Sequence, residues 1–180
     1  MMRATDPTLS IRIDSQYDGA MSEKVLTNTQ LATILDQARA QKKRIVFTNG
    51  CFDLMHIGHT RYLQAAKALG DVLIVGVNSD ASVRSLNKSP DRPIVSDAQR
   101  AEVVAALGCV DYVILFNEPD PQSLIAALQP DVLVKGGDWP VERIVGREIV
   151  EARGGVVKTI PLVPDMSTTS LIQRIRAQST

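Results

Sequence analysis

The 180-residue chain holds two histidines, and both lie in one short segment, His56-Ile57-Gly58-His59. An apolar run, Ile45-Val46-Phe47, and a turn-like stretch, Thr48-Asn49-Gly50-Cys51-Phe52-Asp53, come before it. Helical spacing of Tyr62, Leu63, Ala66 and Leu69 comes after it. The pattern predicts a strand, a glycine-containing loop and a helix over His59–Leu69. A helix N-terminus presents unpaired N–H groups and the positive end of the helix dipole, which suits anions. Two imidazoles at such a terminus point to phosphate chemistry.

Other segments carry groups that suit the same task. Gly58 lets a phosphate approach the backbone closely. Ser167-Thr168-Thr169, at the opening of a final helix, offers hydroxyls and N–H donors. Lys88, Arg92, Arg100 and Lys135 are cations able to neutralise phosphate charge. Gly136-Gly137 allows close approach of a flat base, and Asp138 can accept hydrogen bonds from ribose hydroxyls. Each feature also has an ordinary reading. A zinc site would need more ligands than the two histidines, with only Cys51 or Asp53 nearby. Gly136-Gly137 alone is a turn, Ser167–Thr169 alone a helix cap, and Arg100 alone a surface residue. Cys51 reads as a small packing residue under the loop, and Trp139 either stacks on a base or packs. Asp80 either reaches an acceptor or caps a turn.

These groups need a scaffold that brings them together. Five runs rich in Val and Ile read as strands: 45–48, 72–77, 112–116, 132–134 and 156–160. They are mostly apolar, as parallel strands covered on both faces should be. Helical patterns alternate with them over 59–69, 97–107, 121–128 and 141–153, and a last helix spans 169–177. The expected fold is α/β: a doubly wound, Rossmann-like, five-stranded parallel sheet with helices on both faces. Ligands in such sheets bind beyond the carboxyl ends of the strands, where Asn49–Asp53, Asn78–Asp80 and Lys135–Asp138 should lie. Residues 1–26 read as a loose leader and 27–180 as one domain. Thr27 or Asn28 should cap a helix over 28–41 whose apolar face serves packing or self-association. The polar stretch Leu86–Ser96 is a long loop of the kind that is often functional.

Composition narrows the function classes. Apolar residues make up 44% of the chain, which fits a globular core. Twenty basic and twenty acidic residues cancel, so no broad nucleic-acid footprint is indicated. No apolar run is long enough for a bilayer, and no signal-peptide pattern opens the chain. Two cysteines suggest no disulfide framework and fit a reducing cytoplasm.

Taken together, NGCFDLMHIGH, VNSDASV, RPI, LVKGGDW and STTSLI, in this order and spacing, resemble the HxGH nucleotidyltransferases. Among these the chain is most similar to the adenylyltransferases that make ADP-heptose, in a stand-alone form without a sugar-kinase domain. The resemblance covers about residues 44–176. It implies the HIGH-superfamily fold and in-line attack by a sugar phosphate on the α-phosphorus of ATP, with pyrophosphate leaving. His56 and His59 would contact the phosphates, and Lys88 and Arg100 would match cationic catalytic positions. The nucleotide would meet Asn49, Gly50, Cys51, Phe52, Gly58, Lys135, Gly136, Asp138, Ser167, Thr168 and Thr169. Asp53, Asp80 and Arg92 would face the sugar phosphate. Mg²⁺ would accompany ATP, with Asp53 a contributor to its shell. Lipopolysaccharide or other envelope polysaccharide synthesis is the implied role. Related cytidylyltransferases carry an arginine before the STT motif, whereas this chain has Leu162-Val163-Pro164-Asp165-Met166. That difference favours ATP over CTP. The alternatives are a cytidylyltransferase for a polyol phosphate such as glycerol 3-phosphate, and a nucleotide-binding module without turnover.

Overall fold

A computed structural model describes residues 21–86, 91–164 and 166–178. Six strands form one parallel sheet in the order β1-β4-β3-β2-β5-β6. They are β1 (Val25–Leu26), β2 (Ile45–Gly50), β3 (Val72–Asn78), β4 (Tyr112–Phe116), β5 (Val132–Gly136) and β6 (Val156–Ile160). The helices are α1 (Asn28–Ala40), α2 (Ile57–Lys67), α3 (Asp80–Ser85), α4 (Asp97–Ala105), α5 (Gln122–Leu128), α6 (Arg147–Glu151) and α7 (Thr168–Gln178). Alternate residues of the central strands enter opposite cores, as the two-residue strand period requires. Ile45, Phe47 and Ile74 pack with Leu31, Leu35 and Ile125 on one face. Val46, Leu73 and Val75 pack with Leu63, Ala101 and Val104 on the other.

The doubly wound α/β fold agrees with the sequence reading, with differences in detail. The sheet has six strands rather than five, because Val25–Leu26 pairs with Val113–Ile114 at its edge. Two residues are too few to show a period, so this strand could not be seen in the sequence. Part of the expected leader therefore belongs to the domain, where the Lys24 Nζ donates to the Val110 carbonyl at 2.8 Å. Helix α1 starts at a capping box built by Thr27 and Gln30, and its apolar face is spent on the core through Leu31, Leu35 and Ala38. The expected helix over 141–153 is split into a 3₁₀ turn (Val141–Arg143) and α6. Gly146 stands between them at φ +85°, and a Cβ there would lie 2.5 Å from Ile125 Cδ1. The short helix α3 was not expected from the Asn78-Ser79-Asp80 segment.

The chain runs from β2 outward to β3 and β4, then crosses back so that β5 lies on the other side of β2. This reversal opens a crevice beyond the carboxyl ends of β2 and β5, the place where such sheets bind ligands. Asn49 at the end of β2 and Lys135 at the end of β5 are hydrogen-bonded across it.

Candidate active site

The histidine turn is built by α2 starting two residues earlier than its apolar spacing suggested. His56 is the N-cap, in extended conformation, and its Nδ1 accepts the Gly58 N–H at 3.1 Å. That bond leaves the proton of the neutral ring on Nε2. Gly58 is required by this geometry, since a Cβ at that position would sit 2.9 Å from His56 Cε1 and Nδ1. The His59 ring stacks on His56 with centroids 3.9 Å apart, and the Phe52 ring meets His59 edge-on at 5.4 Å. Phe52 takes φ +49° to bring its ring there. Among the described residues, His59 Nδ1 is the one buried side-chain nitrogen or oxygen without a hydrogen-bond partner. Burial, with repulsion from His56 and Arg92, lowers the His59 pKa to about 4. Burial also lowers that of His56. Both imidazoles are thus weighted toward the neutral form, with hydrogen-bonding capacity left over for a ligand.

A second helix N-terminus lies beside the first. Ser167 and Ser170 cap α7 reciprocally, with Ser170 N donating to Ser167 Oγ at 3.0 Å and Ser167 N to Ser170 Oγ at 3.2 Å. The preceding residue, Met166, has its Cβ 3.6 Å from where a Gly58 Cβ would be, so the starts of α2 and α7 abut. Opposite them, the β5 end is shaped by Gly136, where a Cβ would lie 2.6 Å from the Asp138 carboxylate and 3.1 Å from Leu162. Trp139 stands beside it, 49% exposed.

The result is a cleft of about 560 Å³. Asn49, Gly50, Cys51, Phe52, His56, Gly58, His59, Lys135, Gly136, Asp138, Ser167, Thr168 and Thr169 all line it, as does Arg92. Its floor and sides also use residues that the sequence did not single out. Tyr62, three positions past His59, shares a 2.7 Å hydrogen bond with Thr48, and burial raises the Tyr62 pKa. Ile144 and Val145 add an apolar side, continued by Leu162 and Val163 of the stretch that departs from the cytidylyltransferase motif. They come from irregular segments with no period to read, apart from Tyr62, whose helical position was a usable signal.

Three expected site residues lie behind the wall. Arg100, expected to be either a phosphate contact or a surface residue, is fully buried. Its guanidinium donates to the Val95 carbonyl at 2.9 Å, the Cys51 carbonyl at 2.5 Å and the Asp80 carboxylate at 2.8 Å. Asp80 is thereby engaged as an ion-pair partner in the first turn of α3 and does not line the cleft. Asp53, 2% exposed, accepts from Arg92 Nε at 3.0 Å and from the N–H groups of Ile94 and Val95 at 2.8 and 2.9 Å. A carboxylate so committed does not fit the expected metal-ligand role. Among the described residues no group of His, Cys, Asp and Glu is arranged to hold a metal ion. Lys88 lies outside the described residues.

The chain and its fold have counterparts among known proteins. The profile of the Cytidylyltransferase-like family matches residues 47–174. The chain belongs to this family. It is a nucleotidyltransferase. Relatives named "Bifunctional protein HldE" include one from Geotalea uraniireducens, 52% identical over 156 residues, or 87% of this chain and 32% of that protein. Another, from Pseudomonas syringae pv. syringae, is 54% identical over 163 residues, or 91% of this chain and 34% of that protein. The chain thus spans about a third of the length of these relatives. Among solved structures, the lipopolysaccharide core biosynthesis protein from Thermoplasma volcanium matches with a TM-score of 0.56 and 30% identity, covering 67% of this chain and 97% of that one. Pantoate-beta-alanine ligase from Francisella tularensis, at 14% identity, covering 89% of this chain and 79% of that one, and a TM-score of 0.58, shares the fold. No described helix is long and apolar enough to cross a membrane.

Proposed function

We propose that this domain transfers AMP from ATP to a sugar 1-phosphate, D-glycero-D-manno-heptose 1-phosphate, releasing pyrophosphate and forming ADP-heptose for envelope polysaccharide synthesis in the cytoplasm. The observation that carries the reading is the meeting of His56 and His59, Lys135 and Thr168, from three separate segments, around one cleft. An oxygen of the sugar phosphate attacks the α-phosphorus, and the bond from that phosphorus to the bridging oxygen of the β-phosphate breaks. The nucleophile is already ionised, so no general base is needed. What the protein must supply is alignment and charge stabilisation as negative charge builds on the leaving pyrophosphate. His56 Nε2–H, the N–H groups at the starts of α2 and α7, and the Lys135 ammonium are the donors suited to that task. Asp138, beside Gly136, is suited to the ribose hydroxyls. Mg²⁺ would accompany ATP and supply charge neutralisation on the phosphates; among the described residues no group of carboxylates, histidines and cysteines is arranged to hold it.

ATP is favoured over CTP because Leu162-Val163-Pro164 stands where the resembling cytidylyltransferases carry an arginine. Heptose is favoured by the VKGGD pattern shared with the heptose adenylyltransferases, and the likeness to the lipopolysaccharide core biosynthesis protein of Thermoplasma volcanium agrees. Pyrophosphate release measured with ATP, Mg²⁺ and heptose 1-phosphate is the test. Turnover with ATP and not CTP is expected. Turnover only with CTP and a polyol phosphate would move the assignment to that class, and nucleotide binding without turnover for any acceptor would reduce the domain to a binding module.

A further inference from the structure

Two buried charges near the cleft have no part in the mechanism above, Asp53 and Arg100. Arg100 spends its guanidinium on Val95, Cys51 and Asp80, which ties the 51–53 turn to the 92–95 segment and to α3. Asp53 makes a second tie between the same turn and the same segment, through the Ile94 and Val95 N–H groups. Those bonds and Arg100 already hold the two segments together. The remaining Asp53 bond, to Arg92 Nε, adds a desolvated charge pair whose side chains are 0% and 10% exposed. Burying such a pair costs several kcal/mol per ion before mutual attraction offsets it, so packing alone gives a weak reason for it. Arg92, unlike Arg100, lines the cleft, close enough for its charge to bear on His59. A guanidinium is planar and carries four N–H donors besides the one on Nε. Holding Nε fixes the plane in which the others point.

We infer that Asp53 is a positioning residue, whose buried carboxylate aims the Arg92 guanidinium at the phosphates of the bound nucleotide beside the histidine pair. This rests on the reading of the cleft as a nucleotide site. Asp53 stands three residues before His56, so one turn sets both the imidazoles and, through its carboxylate, the cation facing them. The ligand chemistry is a polyphosphate anion. Neither the base nor the ribose takes part.

The test uses the purified full chain and calorimetric titration with inorganic pyrophosphate, ATP and adenosine. In Asp53→Asn the amide oxygen can still accept from Ile94 and Val95, but the amide NH₂ then opposes Arg92 Nε–H, donor against donor. Asp53→Asn and Arg92→Gln are each expected to weaken pyrophosphate and ATP binding about tenfold or more, the range of a charge-assisted bond. Adenosine affinity should stay within about twofold, and the double variant should be no weaker than Arg92→Gln alone. Unchanged pyrophosphate affinity in Asp53→Asn, losses that multiply in the double variant, or an equal loss for adenosine would each overturn the inference. If Asp53→Asn does not fold, Arg92→Lys replaces it. That variant keeps the charge without a planar group held at Nε, and unchanged anion affinity there overturns the inference too. A wild-type chain that binds pyrophosphate as described but transfers nothing would sink the proposed activity alone.

Discussion

The histidine turn and the Arg100 clamp lie side by side, joined through Cys51–Asp53, and they spend their polar groups in opposite ways. Arg100 is fully buried and donates to three acceptors from three segments. His59, also largely buried, has a ring nitrogen with no partner at all. Unsatisfied buried polar atoms are uncommon because each costs about 1–3 kcal/mol. The clamp's polar groups are therefore satisfied within the protein, and the turn keeps a nitrogen that is not. Hydrogen-bonding capacity left unspent, more than charge, separates the cleft-lining His59 from the Arg100 clamp behind it.

The largest effect is expected where the clamp is cut. Arg100→Met leaves the Cys51 and Val95 carbonyls and the Asp80 carboxylate without their partner. The loss should be about 3–5 kcal/mol, lowering the melting temperature by roughly 10 °C in thermal denaturation. An unmoved melting temperature with lost transfer activity would break the comparison, because Arg100 would then be a phosphate contact after all. His59→Ala should do the reverse. It removes a ring with no hydrogen bond at Nδ1, so stability should barely fall, while kcat drops about a hundredfold, or ~2.7 kcal/mol of transition-state stabilisation. An unchanged kcat would remove His59 from the chemistry.

The sequence made the cleft-lining side of this contrast legible and hid the buried side. The His-x-Gly-His spacing, the VKGGDW segment and the STT helix start can be read because each uses residue types suited to anions in a row of neighbours. The strands could be read because a buried parallel strand is apolar along most of its length, as β3 is from Val72 to Val77. Arg100 and Asp53 were misassigned for one physical reason. A charged side chain in a sequence looks the same whether it faces phosphate or is saturated by backbone groups 49 positions away, as Arg100 is by Cys51. Tertiary partners decide this, and they leave no local period. The break between the 3₁₀ turn and α6 was hidden in the same way, because only the Ile125 side chain against Gly146 reveals it.

A smaller effect is expected from Gly58→Ala. The added methyl would fall 2.9 Å from two atoms of the His56 ring, so the ring must swing off the helix terminus and give up its cap. Loss of an N-cap bond costs about 1 kcal/mol. Transfer should fall roughly tenfold if His56 has to be capped to present Nε2–H, since one charge-assisted bond is worth about that much. Steady-state kinetics beside thermal denaturation would separate the two. A stability loss with full activity would mean that the cap matters only to the fold, and the two regions would then differ less than argued.

The mildest probe is pH, and it acts on both stacked imidazoles, most strongly on the unpartnered one. His59 titrates near 4 in the folded chain against about 6.5 when unfolded. Its folded pKa is depressed, so between these values the unfolded chain binds more protons than the native one. Its contribution is therefore fully present above about pH 6.5 and is lost as pH falls toward 4. With a discount for the part of the ring that solvent reaches, the loss from pH 7 to pH 5 should be on the order of 1–2 kcal/mol. Denaturant titrations across that range should show the slope in the wild-type chain and a flatter profile in His59→Ala. Inorganic pyrophosphate should change the sign of the effect. An anion beside the ring favours the imidazolium, so binding at pH 5 should take up a proton, and affinity should rise as pH falls. Calorimetry in buffers of different ionisation enthalpy measures that uptake directly. If no proton is taken up, the ligand does not complete the His59 ring, and the unspent nitrogen would have to be explained by packing against His56 and Phe52 instead.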